Sequence, residues 1–136
     1  MSDEFKNNNQ VLSDWDDLKG TPHIELARWA DFFVIYPATA NVIAKMANGI
    51  ADDLLTSTTL MFGSGIYICP AMHEEMYLNN TTQNNLNKLS QDNFIIGSRY
   101  GDLDIGDRGY GRLVEPLDLK NNIENVIPND IINVQN

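Results

Sequence analysis

Three things are scarce in this sequence of 136 residues: cysteine, basic side chains and long apolar runs. A single cysteine, Cys69, excludes an internal disulfide framework and a cysteine-based structural zinc site, and it is compatible with a reducing compartment. Nine Lys and Arg against nineteen Asp and Glu give a formal net charge of −10, which argues against binding to nucleic acid or an acidic membrane surface. No run approaches the ~20 apolar residues of a membrane span, and no basic-then-apolar leader suggests export. These absences predict a cytoplasmic protein.

What is present predicts one folded domain. Hydrophobic residues make up 43% of the chain, which is enough for a packed core. Short apolar runs alternate with segments of helical periodicity, which indicates an α/β fold with a parallel sheet. The predicted strands are 32–36, 66–69 and 94–96, and the predicted helices are 23–30, 38–50, 52–60, 86–89 and 116–126. We predict a single α/β domain over residues 1–136, with a polar arm at 1–20, a mobile loop at 98–112 and a frayed tail at 128–136.

The first candidate site follows the first predicted strand and consists of Pro37, Ala38, Thr39, Ala40 and Asn41. Open α/β sheets bind ligands at the carboxyl ends of their strands. Small side chains let a flat ligand approach the backbone, a new helix amino terminus favours anions, and Thr39 and Asn41 offer hydrogen bonds. An ordinary strand-to-helix turn with a Thr or Asn cap explains the same spacing, and spacing alone favours that simpler interpretation.

The second candidate site follows the second predicted strand, where residues 70–77 hold two methionines, a histidine and a tyrosine. The alternative is that Met72 and Met76 belong to the core, at positions i and i+4 of one helix face, while His73 is exposed. The pattern alone divides evenly between the two interpretations.

The third candidate is His23, at the start of the first predicted helix, because imidazole titrates near neutrality and suits general acid–base chemistry. A lone histidine is more often a structural or surface residue. With two histidines and no H-x-x-x-H spacing, the sequence predicts no metal site. A dinucleotide-binding glycine fingerprint, a Walker loop and a G-x-S-x-G motif are all missing from it.

Five segments, taken in chain order, resemble the homo-oligomeric flavin-containing cysteine decarboxylases. They are HIELARWAD from His23, PATAN from Pro37, NGIADDLLT from Asn48, PAM from Pro70 with Met76, and GDRGYGR from Gly106 with Glu115 and Pro116. Any one motif would be weak, but five in order over about residues 23–116 make a chance resemblance improbable. Within the family the sequence is most similar to the phosphopantothenoylcysteine decarboxylases, with the lantibiotic peptide decarboxylases as a sister branch.

The resemblance implies a three-layer, Rossmann-like parallel sheet flanked by helices, and an FMN cofactor. It also implies oxidative decarboxylation of a cysteine-terminated substrate, above all phosphopantothenoylcysteine in coenzyme A biosynthesis. In that chemistry the cysteine thiol is oxidised to a thioaldehyde with FMN as the electron acceptor, and carbon dioxide then leaves to give an enethiolate. The family builds its sites at contacts within trimers, so a homotrimer or higher homo-oligomer is implied.

Carried over by position, the resemblance makes His23 the active-site base and places residues 37–41 and Met72 along the flavin. Residues 70–77 would hold the substrate carboxylate, and the loop that ends at Arg112 would close over the substrate. The substrate-binding residues so implied are His73, Met76, Asp107, Gly109, Gly111 and Arg112.

Three features depart from the family pattern. Asn normally follows Pro-x-Met, whereas this chain has His73, whose charge depends on pH. The Cys that normally precedes the Gly-Asp of the loop helps to reduce the enethiolate, and Ile105 in its place cannot give a proton. Only twenty-two residues precede His23, where the family's first βαβ portion of roughly fifty to sixty residues is expected. A fragment, a second chain that supplies that half, and a lost flavin site each explain the short start.

Two alternatives stay open beside the coenzyme A branch. A peptidyl-cysteine decarboxylase that releases an enethiol is favoured by Ile105, while the loop sequence at 106–116 favours the coenzyme A branch. A non-catalytic binding or regulatory subunit is favoured by His73, Ile105 and the short start. His23 argues against that subunit, because a degenerate copy has no need of the base.

Overall fold

The computed structural model describes residues 10–12, 21–97, 111–123 and 132–134. The strands of this part of the chain are β1 (Gln10–Leu12), β2 (Val34–Ala38), β3 (Tyr67–Pro70), β4 (Phe94–Ile95) and β5 (Ile132–Val134). The helices are α1 (Pro22–Trp29), α2 (Ala40–Asn48), α3 (Leu54–Phe62), α4 (Glu74–Leu78), α5 (Asn80–Ser90) and α6 (Pro116–Ile123).

Within the described residues, the central sheet has three parallel strands in the order β2-β3-β4. Its register aligns Ile35, Ile68 and Ile95 across the strands. Helices α2 and α3 connect β2 to β3, and α4 and α5 connect β3 to β4. Right-handed crossovers between sequential neighbours put their helices on one face of the sheet, and α2 accordingly packs against α5. The predicted α/β class, a Rossmann-like parallel sheet flanked by helices, is confirmed.

The core lies between the central sheet and the crossover helices. Ile35 and Ile68 are 3% and 0% exposed, because the helices cover the face towards which both side chains point. Their buried neighbours from the helices are Val42, Ile43, Ala47, Leu55, Tyr77, Leu86 and Leu89. Burial of this many apolar side chains supplies the main driving force for folding.

Helix α2 begins and ends at residues that differ from the prediction of 38–50. The Thr39 side chain accepts a hydrogen bond from the Val42 N–H at 3.2 Å, so the helix starts at Ala40 and the strand β2 extends to Ala38. Gly49, with φ 69°, terminates the helix in the left-handed conformation that glycine adopts without strain.

Helix α3 starts with a capping box. The Asp53 carboxylate accepts a hydrogen bond from the Thr56 N–H at 2.7 Å, and the Thr56 hydroxyl accepts one from the Asp53 N–H at 3.2 Å. Helix α1 packs against α3. Among the described residues, no helix has the length and apolar character that a membrane crossing requires.

Helix α5 is longer than the predicted segment 86–89. It runs over eleven residues, and the Asn79 side chain caps it by accepting the Thr81 N–H at 2.8 Å. Most residues of the helix are polar, so only Leu86 and Leu89 give the sequence an apolar periodicity. The cap, and packing against α2, extend the helix beyond that signal.

Strands β1 and β5 form a separate two-stranded parallel sheet. They lie in the segments predicted as a polar arm and a frayed tail, where the sequence predicts no strand. A pairing between Val11 and Asn133 joins distant parts of the chain and leaves no local pattern in the sequence. The other residues of both segments lie outside the described part of the chain.

Candidate active site

The carboxyl ends of β2 and β3 lie side by side. Ala38 pairs with Pro70 in the sheet register, and the Ala71 N–H donates to the Ala38 carbonyl at 3.0 Å. Segments 37–41 and 70–77, predicted as two separate candidates, therefore lie together at the carboxyl end of the central sheet. We call this end the carboxyl edge. This is the position where open parallel sheets bind their ligands.

Segment 37–41 combines a buried alanine with exposed polar residues. Ala38 is fully buried, while Thr39 and Asn41 are exposed at the start of α2. The predicted Thr cap is confirmed, since the Thr39 oxygen accepts the Val42 N–H. As the cap uses Thr39 as an acceptor, its hydroxyl proton can still be donated to a ligand.

Segment 70–77 differs from the predicted core pair of methionines. Met72 is partly buried against the core, but Met76 is 50% exposed and Tyr77 is buried instead. The reason is that α4 begins at Glu74, so Met72 precedes the helix and does not share a face with Met76. His73 is exposed, as the alternative interpretation predicts.

Residues 111–115 complete the edge. The Met72 N–H donates to the Gly111 carbonyl at 2.9 Å, so this segment runs directly against segment 70–77. A Cβ atom on Gly111 would collide with the Met72 carbonyl oxygen, and the residue has φ 79°. Only glycine satisfies both conditions. The next residue, Arg112, is exposed at this edge.

Tyr36 is a residue that the sequence analysis missed. Its hydroxyl donates to the carbonyl oxygen of Val114 at 2.9 Å and so links β2 to residues 111–115. Partial desolvation raises the pKa of Tyr36, and the neighbouring carboxylate of Glu115 raises it further, so the hydroxyl remains a donor at neutral pH. An aromatic residue immediately before the Pro37 motif is the signal that could have identified it.

Cys69 lies inside the sheet beneath this edge. The side chain is 0% exposed, and burial raises the pKa of the thiol to about 12. The group is therefore a neutral thiol at physiological pH and is not available as a nucleophile.

Of the remaining predicted site residues, one lies on another element and two lie outside the described part of the chain. His23 is the second residue of α1, is partly buried, and belongs to a helix that packs against α3. Asp107 and Gly109, like Ile105, lie outside the described residues, as does most of the predicted loop at 98–112. Within the described part of the chain, no three His, Cys, Asp or Glu side chains cluster as a metal site.

Comparison with known proteins extends beyond the five motifs. The family model described as Flavoprotein matches residues 1–127. The coenzyme A biosynthesis bifunctional protein CoaBC of Vibrio cholerae is 44% identical over 104 residues, which are 76% of this chain and 26% of that protein.

Two solved structures show the same fold. The FMN-dependent cysteine decarboxylase SpaF has a TM-score of 0.62 and 39% identity, over 75% of this chain and 56% of that one. A PPC decarboxylase mutant complexed with pantothenoylaminoethenethiol has a TM-score of 0.68 and 32% identity, over 81% of this chain and 64% of that one. The chain thus spans about a quarter of the bifunctional relative and less than two thirds of either structure. With a match over most of its length, this chain belongs to the Flavoprotein family.

Proposed function

We propose that this protein is an FMN-dependent decarboxylase of a cysteine-terminated substrate. One observation carries the proposal: three segments that are distant in sequence, 37–41, 70–77 and 111–115, meet at the carboxyl ends of β2 and β3. The family assignment gives that edge its chemistry, because a solved neighbour is an FMN-dependent cysteine decarboxylase.

The residues of segment 37–41 fit the ring system of a flavin. Ala40 has no bulk that would keep a flat ring from the backbone, and the buried Ala38 would support the ring from beneath. Thr39 and Asn41 offer donors beside it. The amino terminus of the nine-residue helix α2 favours the electron-rich edge of such a ring. Met72, partly buried at the adjoining strand end, would contact the ring from the other segment. FMN, when bound, would accept the two electrons of the substrate thiol.

The substrate groups would lie on the exposed side of the edge. His73 and Met76 are exposed on segment 70–77, and Arg112 follows the glycine that contacts it. A chain with a formal net charge of −10 attracts no anion by its overall field, so a carboxylate needs local partners. Arg112 offers a planar, permanently charged guanidinium for this purpose. Asp107, Gly109 and Gly111 are part of the same proposal.

Phosphopantothenoylcysteine is the substrate that we propose, in coenzyme A biosynthesis in the cytoplasm. Two likenesses support it: the CoaBC relative is named for that biosynthesis, and one structural neighbour is a PPC decarboxylase that holds pantothenoylaminoethenethiol.

His23 is proposed as the base, acting within a homotrimer or higher homo-oligomer. It stands on α1, a different element from those of the edge, so a subunit contact is a simple way to bring an imidazole to a neighbouring site. Its task would be to take the thiol proton as the substrate is oxidised.

Flavin binding and turnover test this proposal separately. Titration with FMN should give saturable binding of about one flavin per chain, seen as a visible absorbance band that stays with the protein on gel filtration. His23→Asn should then retain the flavin and release no carbon dioxide from phosphopantothenoylcysteine. Phe94→Leu, at the opposite end of the sheet, is the control and should remain active. A protein that rejects FMN would contradict the cofactor assignment, and turnover by His23→Asn would show that the base is another group.

A peptidyl-cysteine decarboxylase is the second candidate, and Ile105 favours it, because this residue cannot supply the proton that saturates the product. The product mass separates the two reactions. Loss of carbon dioxide alone marks the saturated thiol, and loss of two hydrogens as well marks the enethiol. Turnover of a peptide ending in cysteine, with phosphopantothenoylcysteine left unchanged, would favour the second candidate.

A further inference from the structure

Two hydrogen bonds join residues 111–115 to described residues of β2 and of the segment after β3. At one end, the Gly111 carbonyl accepts the Met72 N–H at 2.9 Å. At the other, the Val114 carbonyl accepts the Tyr36 hydroxyl at 2.9 Å, across 78 residues of sequence. One point belongs to the segment after β3 and the other to β2, and Arg112 lies between them. We name these two hydrogen bonds the two-point anchor.

The two contacts differ in what side chains can change. The Met72–Gly111 contact is between backbone atoms, and its closeness requires glycine at position 111. The contact to Val114 depends on one side-chain oxygen, that of Tyr36. Removing this oxygen therefore releases one end of the anchor and leaves the backbone contact at the other end in place.

The Tyr36 hydroxyl is suited to a permanent contact. Tyr36 is 37% exposed, its contact with Val114 lies at the surface, and the carboxylate of Glu115 opposes a phenolate. The phenol is thus in its donor form throughout the range in which enzymes work, so the contact to Val114 does not depend on the protonation of a neighbour.

We propose that Tyr36 is a positioning residue that fixes the backbone of Arg112 and thereby prepares its guanidinium to bind the anionic group of the substrate. The inference rests on the proposed function, since it takes Arg112 as a substrate ligand. The physical basis is preorganisation: an arginine on an immobilised backbone loses less conformational entropy on binding than one on a mobile backbone. Tyr36 itself contacts the protein backbone and need not contact the substrate.

Steady-state kinetics of Tyr36→Phe test the positioning role. The substitution removes one oxygen, and the loss of one hydrogen bond should raise KM by roughly threefold to tenfold while kcat and FMN affinity stay close to wild type. Tyr67→Phe is the matched control, because it removes a hydroxyl from the amino end of the neighbouring strand β3. This control should have wild-type kinetics.

A double-mutant cycle separates positioning from general support of the fold. If Tyr36 acts through Arg112, then Tyr36→Phe should have no further effect on KM in an Arg112→Ala background. Independent, multiplying effects of the two substitutions would overturn the positioning role. An unchanged KM in Tyr36→Phe alone would overturn it as well.

Amide hydrogen exchange tests the anchor without any catalysis. In the protein without ligands, Tyr36→Phe should speed exchange in a peptide covering residues 111–119, whereas Tyr67→Phe should leave it unchanged. Unchanged exchange in Tyr36→Phe would overturn the anchor. If the wild-type protein neither binds FMN nor releases carbon dioxide, the proposed function is wrong, and so is the proposed role of Arg112. The exchange result still decides whether Tyr36 immobilises residues 111–115.

Discussion

The two ends of the central sheet are held together by different kinds of contact. At the amino ends of the strands, the rings of Tyr67 and Phe94 stack with centroids 4.9 Å apart, and Phe32 lies 6.4 Å from Tyr67. At the carboxyl ends, alanine and proline replace the rings, and backbone groups such as the Ala71 N–H and the Ala38 carbonyl make the contacts. Stacked rings fill space and stabilise the sheet, whereas backbone contacts between small residues leave room for a ligand.

This difference indicates that the residues that stabilise the sheet and the residues that bind a ligand lie at opposite ends of its strands. Substitutions at the amino end should lower the free energy of unfolding and leave ligand binding intact. Substitutions at the carboxyl end should impair binding in addition to any cost in stability. The following substitutions test that separation, from the largest expected effect to the smallest.

Gly111→Ala should have the largest effect. The added methyl would meet the Met72 carbonyl and would also force alanine to a φ of 79°. We expect a KM increase of more than about tenfold and a loss of roughly 1–3 kcal/mol in the free energy of unfolding, measured in urea. Gly65→Ala is the control, because φ is 74° there but no atom lies within 4 Å of the added carbon. Equal effects of both substitutions would show that backbone strain, and not the contact with Met72, is responsible.

Phe94→Leu should affect stability alone. It removes the stacked ring at the amino end but retains an apolar side chain at a position that is 54% exposed. The free energy of unfolding should fall by about 0.5–1.5 kcal/mol, with KM and FMN affinity unchanged. An altered KM would break the proposed separation between the two ends of the sheet.

The smallest effect concerns Cys69 and depends on pH. Its pKa is raised by burial to about 12 in the folded protein, so the folded state keeps the proton after the unfolded thiol, with a pKa near 8.5, has lost it. Stability from this group is therefore complete below about pH 8.5 and declines as the pH rises towards 12, by about 0.8 kcal/mol at pH 9. Urea unfolding of wild type and Cys69→Ala between pH 7 and 9 should show this decline only in the wild type. Parallel pH profiles would mean that the thiol is not buried as described.

Local signals in the sequence are sufficient to predict the three strands of the central sheet and most of its helices, whereas α4 is not predicted and α5 is predicted only at residues 86–89. The apolar runs predict β2, β3 and β4, and the position of Thr39 predicts a helix cap. Local patterns failed where a contact decides the outcome. Met76 has the spacing of a core residue, but α4 begins after Met72 and turns Tyr77 inwards instead.

The candidate site was predicted in parts but not as a whole. Segments 37–41 and 70–77 carry recognisable motifs, and the rule for open sheets places both at the carboxyl edge. The contact between Met72 and Gly111 joins residues 39 positions apart, and the Tyr36 contact to Val114 spans 78, so neither has a periodicity that a window of sequence could detect. Long-range contacts of this kind become visible only in the folded chain.

Hydrogen exchange with and without FMN tests most directly the claim that the carboxyl ends of β2 and β3 form the flavin site. The prediction is protection on FMN binding in segments 37–42 and 70–77, with no change at the amino ends of the strands around Phe32, Tyr67 and Phe94. Protection confined to the amino ends, or FMN binding without protection of either carboxyl segment, would contradict it.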